Sequence, residues 1–167
     1  MSRITFDEFV AGHGAALLRT ALMLCGDPHR AEDLTQSTLA AAFRKWRRVA
    51  GAAEPAAYVR AMLVNEYLSW RRRRWTGELP VADAGADDHP ADDHQAGVVA
   101  RSAAWDLLAG LPRQQRAVLV LRYYEDLSDV EIGRVLGCAA GTVRSNAARG
   151  LATLRAAIPT LDQEALP

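Results

Sequence analysis

A stretch rich in glycine, proline and aspartate interrupts the chain at residues 76–100. It carries six acidic and no basic side chains and almost no large apolar residue. Because such a composition cannot pack into a core, we expect a solvated, self-repelling, flexible linker. The linker separates a basic segment (1–75, with 12 basic and 7 acidic side chains) from a nearly neutral one (101–167, with 8 and 7). The sequence therefore predicts two small modules, each near the size limit for a core that folds alone.

Composition excludes several classes of protein. Half of the 167 residues are hydrophobic and 24% are charged, so disorder of the whole chain is not expected. No apolar run approaches the roughly 18 residues that span a bilayer. Asp7 and Glu8 interrupt the first apolar stretch, so we expect no signal peptide. Cys25 and Cys138 lie too far apart in sequence to suggest a disulfide framework, and a cytoplasmic protein is favoured.

Helix start and stop signals divide the first segment into three helices. Thr5 and Glu8 have the spacing of a capping box, and Gly26 ends the first helix. Asp27 followed by proline starts the second, and a third is predicted from Pro55 to about Arg74. No segment shows sustained alternation with a period of two, so we predict an all-α protein.

Four further helices are predicted after the linker, over residues 97–109, 112–125, 128–136 and 140–157. The last two have the pattern of a helix-turn-helix. Gly133 is small where two helices must approach closely, and Gly137 suits a turn with positive φ. Rotated away from the buried stripe of the last helix are residues typical of a DNA-reading face: Thr142, Arg144, Ser145, Ala148 and Arg149. The alternative interpretation is a plain helical hairpin with a solvated arginine face.

The predicted helix RAMLVNEYLSWRRRRW (60–75) combines cations with aromatic rings. One stripe carries Arg60, Val64, Tyr67, Arg71 and Arg74, flanked by Trp70 and Trp75. Rings stack on unpaired bases while arginines hold the backbone, so this pattern indicates contact with partly melted nucleic acid. A solvated charge run beside a core tryptophan is the simpler alternative.

A third pattern, AEDLTQSTLAAAFRKW (31–46), places Glu32, Asp33 and Gln36 near a helix start, where carboxylates also oppose the helix dipole favourably. Together with the Trp- and Arg-rich helix, the acidic linker and LPRQQRAVLVLRYYEDLSDVEIGRVLGCAAGTVRSNAARGLATLR (111–155), in that order, it resembles a bacterial RNA polymerase sigma factor. The resemblance is to the extracytoplasmic-function (ECF) group of the sigma-70 family, most like its actinobacterial sigma-E-like branch. It spans residues 5 to about 158.

The resemblance implies sigma domain 2, a bundle of three to four helices, at 1–75, the acidic linker at 76–100, sigma domain 4 with the helix-turn-helix at 101–160, and a tail at 161–167. It implies that core RNA polymerase is bound at its largest-subunit clamp helices and its flap region, that promoter DNA is recognised, and that an anti-sigma factor is a possible partner. A loop from Arg47 to Glu54 would capture a flipped base of the −10 element. No membrane, small-molecule substrate or cofactor is implied.

The implied site residues fall into three groups. For core polymerase binding they are Asp33, Leu34 and Gln36; for the −10 element they are Arg47, Arg48, Arg60, Asn65, Tyr67, Trp70, Arg71 and Arg74; for the −35 element they are Thr142, Arg144, Ser145, Asn146 and Arg149. Two positions depart from the family pattern. Asn146 stands where many relatives carry arginine, and Gly133 stands where alanine is commoner, which should cost up to about 1 kcal/mol of helix stability.

Two other function classes fit these patterns less well. A stand-alone helix-turn-helix regulator leaves the 31–46 motif and the Trp- and Arg-rich helix without a role, and offers no obvious dimerisation helix. An enzyme is not expected, because no nucleophile–base pairing or phosphate-binding glycine loop occurs. Scattered histidines, His89 and His94 among them, give at most a weak metal site, and no metal or catalytic residue is predicted.

Overall fold

The computed structural model of the chain describes the backbone of residues 4–75 and 103–164 and the side chains of residues 4–70 and 105–158. The first module contains α1 (Phe6–Cys25), α2 (Pro28–Arg44), α3 (Trp46–Val49) and α4 (Pro55–Trp75). The second contains α5 (Ala103–Ala109), α6 (Arg113–Leu119) with a π-helical extension (Val120–Tyr124), α7 (Asp129–Leu136) and α8 (Ala140–Glu164). No strand occurs in these described ranges, and the all-α prediction is confirmed. The predicted linker at 76–100 lies outside them.

The predicted start and stop signals of the first module are present. Thr5 caps α1 in a capping box with Glu8, and Gly26 takes the left-handed conformation (φ 75°) that ends it. Asp27 accepts a hydrogen bond from the Arg30 amide and Pro28 is the first residue of α2. The helices then bury a common apolar core, which includes Phe9, Leu17, Ala21, Leu24, Ala31, Leu34, Val59 and Leu63.

Two predicted boundaries are wrong, and one predicted helix changes its type along its length. The predicted loop after the second helix begins with the single-turn helix α3, because Val49 is fully buried and anchors the turn to the core. The helix predicted over 112–125 changes to π-helical geometry at Val120. The last helix, predicted to end at about 157, continues through Pro159 to Glu164.

Hydrogen bonds in two capping boxes set the pKa of their glutamates. The backbone N–H and hydroxyl of Thr5 lower the pKa of Glu8, and the hydroxyl and N–H of Ser128 lower the pKa of Glu131, both from an ordinary value of 4.5. A carboxyl group whose pKa is lowered by folding stabilises the folded state at pH values above its ordinary pKa. This stabilisation is lost as the pH falls through the pKa of the folded state. We therefore expect the first turns of α1 and α7 to fray in acid.

An NMR titration of the carboxyl carbons checks this expectation. Ser128→Ala should return the pKa of Glu131 towards 4.5 while that of Glu8 stays low. An unchanged pKa of Glu131 in this variant would contradict the capping explanation.

None of the helices among the described residues is long and apolar enough to cross a membrane.

Candidate nucleic-acid interface

The turn between α7 and α8 brings the two helices into close contact. Ser128 caps α7, and Gly137 ends it in the left-handed conformation (φ 67°). A Cβ atom on Gly133 would lie 2.6 Å from the carbonyl oxygen of Cys138, so only glycine fits this backbone without movement. Ile132 and Val143 are fully buried between the helices. The predicted helix-turn-helix is present, and its turn fixes where α8 begins.

Four of the five predicted −35 residues are exposed on α8: Thr142, Arg144, Ser145 and Arg149. At 100° per residue, Thr142, Ser145 and Arg149 share one side of the helix, whereas Arg144 lies about 140° around from Arg149. The fifth, Asn146, is half-buried, and its side-chain amide donates to the Thr142 carbonyl (3.1 Å). Arg149 therefore lies on the same face as Thr142 and Ser145, and Arg144 lies on a different side of α8.

The three predicted polymerase-binding residues on α2 differ in exposure. Asp33 and Gln36 are exposed near the start of the helix. Leu34 is fully buried in the core of the first module, so the structure does not present its side chain to a partner. Leu34 instead holds the helix against its neighbours, which positions the two exposed side chains.

The short helix α3 carries Arg47 and Arg48, both exposed. Its position is fixed by Trp46, whose ring contacts Phe6 and Phe9 with centroids 5.3 Å apart in each case. Nearby, α2 and α4 border an open cleft of about 600 Å³. Its lining includes Lys45, Tyr58, Met62, Asn65, Glu66 and Ser69. The predicted −10 residues thus include two exposed arginines and one residue of a cleft.

The remaining predicted −10 residues lie on α4 and differ from the expected open stripe. Arg60 is half-buried in an ion pair, Tyr67 is 2% exposed, and Trp70 packs partly buried against the core. The side chains of Arg71 and Arg74 lie outside those that the structure describes. In the described part of the stripe, Arg60 and Tyr67 contact the second module, which packs against α4.

This contact between the modules also uses side chains that the sequence did not single out: Thr20, Arg113, Arg116 and Glu125. The Glu125 carboxylate accepts hydrogen bonds from the Thr20 hydroxyl and the Arg60 guanidinium. The Arg113 guanidinium donates to the Tyr67 carbonyl (3.2 Å). Arg116 is 5% exposed and donates to the Leu24 carbonyl (2.9 Å). The partners of Arg116 are backbone carbonyls, which every residue type carries. No pattern of side chains near Arg116 in the sequence therefore predicts its contacts.

Comparison with known families decides what this arrangement is. Residues 9–76 match the family description "Sigma-70 region 2", and residues 101–154 match "Sigma-70, region 4". Together they account for most of the chain. The chain belongs to the sigma-70 family. It is a promoter-specificity subunit of RNA polymerase, and the two described modules correspond to the two matched regions of a sigma factor.

Similar sigma factors extend over nearly the same length. RNA polymerase sigma-E factor of Streptomyces coelicolor is 35% identical over 162 residues, which cover 97% of this chain and 90% of that protein. ECF RNA polymerase sigma factor SigL of Mycobacterium tuberculosis is 32% identical over 166 residues, covering 96% and 90%. The predicted ECF resemblance is therefore confirmed.

Two solved structures share the fold. The sigma factor RpoE of Bartonella quintana, solved in complex with the anti-sigma factor NepR, superposes with a TM-score of 0.67 at 25% identity. The alignment covers 92% of this chain and 96% of RpoE. CnrH, solved with the cytosolic domain of CnrY, gives a TM-score of 0.59 at 21% identity, which supports the fold alone.

Proposed function

We propose that this sigma factor binds core RNA polymerase and directs it to promoters by recognising a −35 element with α8 and a −10 element with α3 and α4. The observation that carries the proposal is the exposed face of α8, where Thr142, Ser145 and Arg149 stand together on a helix that a glycine turn holds in place. Such a face fits the major groove, where arginine binds guanine edges and hydroxyl groups bind either donors or acceptors on the base edges.

The two ends of the promoter would be contacted in different ways. Arg149 shares its side of α8 with Thr142 and Ser145, so we assign it to base edges. Arg144 lies on the opposite flank, a position suited to a phosphate. At the −10 element, the exposed Arg47 and Arg48 would hold the backbone beside the cleft that Asn65 lines, into which an unstacked base would be placed.

Two surfaces would contact the polymerase. The exposed Asp33 and Gln36 on α2 suit the clamp helices of the largest subunit. An apolar groove of about 340 Å³ lies where α5, α6 and α8 meet α1, lined by residues that include Leu108, Leu119, Tyr123, Leu151 and Leu154. We assign it to the flap region, because apolar surface of this kind is buried by a partner. An anti-sigma factor would compete for these surfaces.

The proposed role needs no cofactor and no covalent chemistry by this chain, and places the protein in the cytoplasm, where the polymerase acts. A stand-alone DNA-binding regulator would account for region 4 but not for the match of residues 9–76 to region 2.

Run-off transcription tests the proposal. Purified core RNA polymerase should yield discrete new 5′ ends on genomic DNA when this protein is added, and the ends should share an upstream pair of elements. If no new transcript forms and the protein still shifts naked DNA, the stand-alone regulator is correct instead.

Single substitutions should separate the two binding activities. Arg149→Ala is expected to weaken promoter binding about 10- to 100-fold and to relax specificity at one −35 position. Arg144→Ala should weaken binding to all DNA sequences alike. It should also reduce the slope of the logarithm of the binding constant against the logarithm of the salt concentration by about one. Asp33→Ala should lower affinity for core polymerase about tenfold and leave DNA binding by the free protein unchanged.

Fluorescence anisotropy with promoter DNA and a pull-down with core polymerase give the two readouts. Arg155→Ala, an exposed arginine further along α8, is the matched control for the DNA measurements. If all three site variants fail in both assays alike, the assignment of separate surfaces is wrong.

A further inference from the structure

Two short side chains, Ser145 and Ala148, lie between the two arginines around the axis of α8. Both are exposed. At 100° per residue, Ser145 lies about 40° from Arg149, and Ala148 lies about 60° from Ser145 in the other direction, towards Arg144. Arginine side chains reach far from a helix, whereas serine and alanine contact only what comes close to its surface. These two positions therefore contact base edges only where α8 lies deep in the groove.

The hydroxyl group of Ser145 has already used its hydrogen. It donates to the Gly141 carbonyl one turn earlier (3.1 Å between Oγ and O). A hydroxyl group has one donor hydrogen and two acceptor lone pairs, so the exposed oxygen is left as an acceptor. In the major groove, adenine and cytosine present a donor amino group, whereas guanine and thymine present only acceptors. Ser145 therefore suits adenine or cytosine.

Ala148 presents a methyl group and no polar atom to the same groove. Thymine alone carries a methyl group on its major-groove edge, and alanine is one of the side chains that contact it. Ser145 and Ala148 are three residues apart on one helix, so their Cβ atoms are neighbours at about 5–6 Å. An amino group and a methyl group occur together on the major-groove edge of an A·T pair and of no G·C pair.

The next polar side chain along α8 does not share this position. Asn146 lies about 100° around the helix from Ser145 and is half-buried. Its side-chain amide donates to the Thr142 carbonyl (3.1 Å). Thr142 itself lies on the side of Ser145 that Arg149 occupies. On the other side of Ser145, contact with base edges is left to Ala148.

We propose that Ser145 and Ala148 are specificity-determining residues that together select one A·T base pair of the −35 element. The Ser145 oxygen accepts a hydrogen bond from the adenine N6 amino group. The Ala148 methyl group packs against the thymine methyl group of the same pair. This inference rests on the proposed recognition of the −35 element by α8, and it adds an A·T pair to the guanine that we assign to Arg149.

Selection from duplex DNA with a random central segment supplies the probe. The full chain is bound to the pool without polymerase, and the enriched duplexes are sequenced. Because this step needs no polymerase, it gives a result whether or not run-off transcription succeeds, and a failure of run-off transcription counts against the proposed function alone. Enrichment of no element, or of an element without an A·T pair, would overturn the inference.

Base analogues then remove one group at a time from each A·T pair of the enriched duplex. Deoxyuridine in place of thymidine removes only the methyl group. Deoxynebularine in place of deoxyadenosine removes the amino group and keeps N7. At one and the same pair, we expect loss of the methyl group to weaken binding about fourfold and loss of the amino group about fivefold, measured by fluorescence anisotropy.

Variants of α8 assign each effect to a side chain. In Ala148→Gly, deoxyuridine at that pair should no longer weaken binding, while deoxynebularine still does. In Ser145→Ala, the two responses should be reversed. Each comparison is made between two duplexes within one variant, so any change that the substitution makes in helix stability cancels.

Two matched controls lie further along α8. Thr153→Ala removes an exposed hydroxyl group that also donates one turn back, to the Arg149 carbonyl (3.1 Å). Ala156→Gly removes an exposed methyl group. Both variants should respond to the two analogues as the wild-type protein does.

Three results would overturn the proposal. Analogues without effect at every A·T pair would show that neither group is contacted. Effects at two different pairs would show that the two residues do not select one pair together. An analogue effect that persists at full size in the matching variant would show that the base acts through the shape of the DNA or through another side chain.

Discussion

Replacing Arg116 by alanine is expected to lower the free energy of unfolding by about 2–4 kcal/mol. The side chain is 5% exposed and donates to three carbonyls: Leu24 (2.9 Å), Ala109 (2.8 Å) and Leu111 (3.2 Å). Leu24 lies in the last turn of α1 and Ala109 is the last residue of α5. Carbonyls at helix ends lack partners within the helix and carry partial negative charge, so the guanidinium both satisfies and neutralises them.

Urea unfolding followed by far-UV circular dichroism measures this loss. Arg116→Lys should recover only part of the stability, because an ammonium group cannot reach three separated carbonyls as the planar guanidinium does. Arg155→Ala removes an exposed arginine from α8 and should change stability by less than about 0.5 kcal/mol. A loss that small in Arg116→Ala would show that water replaces the guanidinium at these carbonyls.

Local signals predicted the elements of the fold because each has a local physical cause. Thr5, Asp27 and Ser128 satisfy backbone amides three residues away, and Gly26 and Gly137 adopt the left-handed conformation that other residues avoid. Such interactions depend on residues that are neighbours in the sequence, so the sequence predicts them. The exposed face of α8 was predicted for the same reason, from the period of its buried stripe.

The arrangement of the two modules has no such local cause. Glu125 and Thr20 are 105 residues apart, and Arg116 and Leu24 are 92 apart. Nothing in the spacing around either residue distinguishes it from a solvated charge. The helical period predicts that Arg60 and Tyr67 share a stripe on α4. It does not distinguish a stripe that contacts DNA from one that contacts the second module. Its burial could be known only from the fold.

Gly133→Val is expected to have the second large effect, lowering the free energy of unfolding by about 2–4 kcal/mol. A Cβ atom at this position would lie 2.6 Å from the Cys138 carbonyl oxygen, and further backbone atoms of the turn lie within 4 Å. Backbone cannot rotate away as a side chain does, so α7 must move from α8. Helix propensity alone predicts the opposite sign, since glycine is the poorer helix former.

Gly12→Val is the matched control, because Gly12 lies inside α1 with nothing within 4 Å of an added Cβ. It should stabilise the protein slightly or leave it unchanged, by up to about 0.5 kcal/mol. Displacement of α8 also predicts that Gly133→Val weakens binding to duplex DNA carrying the −35 element, whereas Gly12→Val does not. If both variants raise stability, propensity outweighs the contact at the turn, and the close approach of α7 to Cys138 is not what fixes the helix-turn-helix.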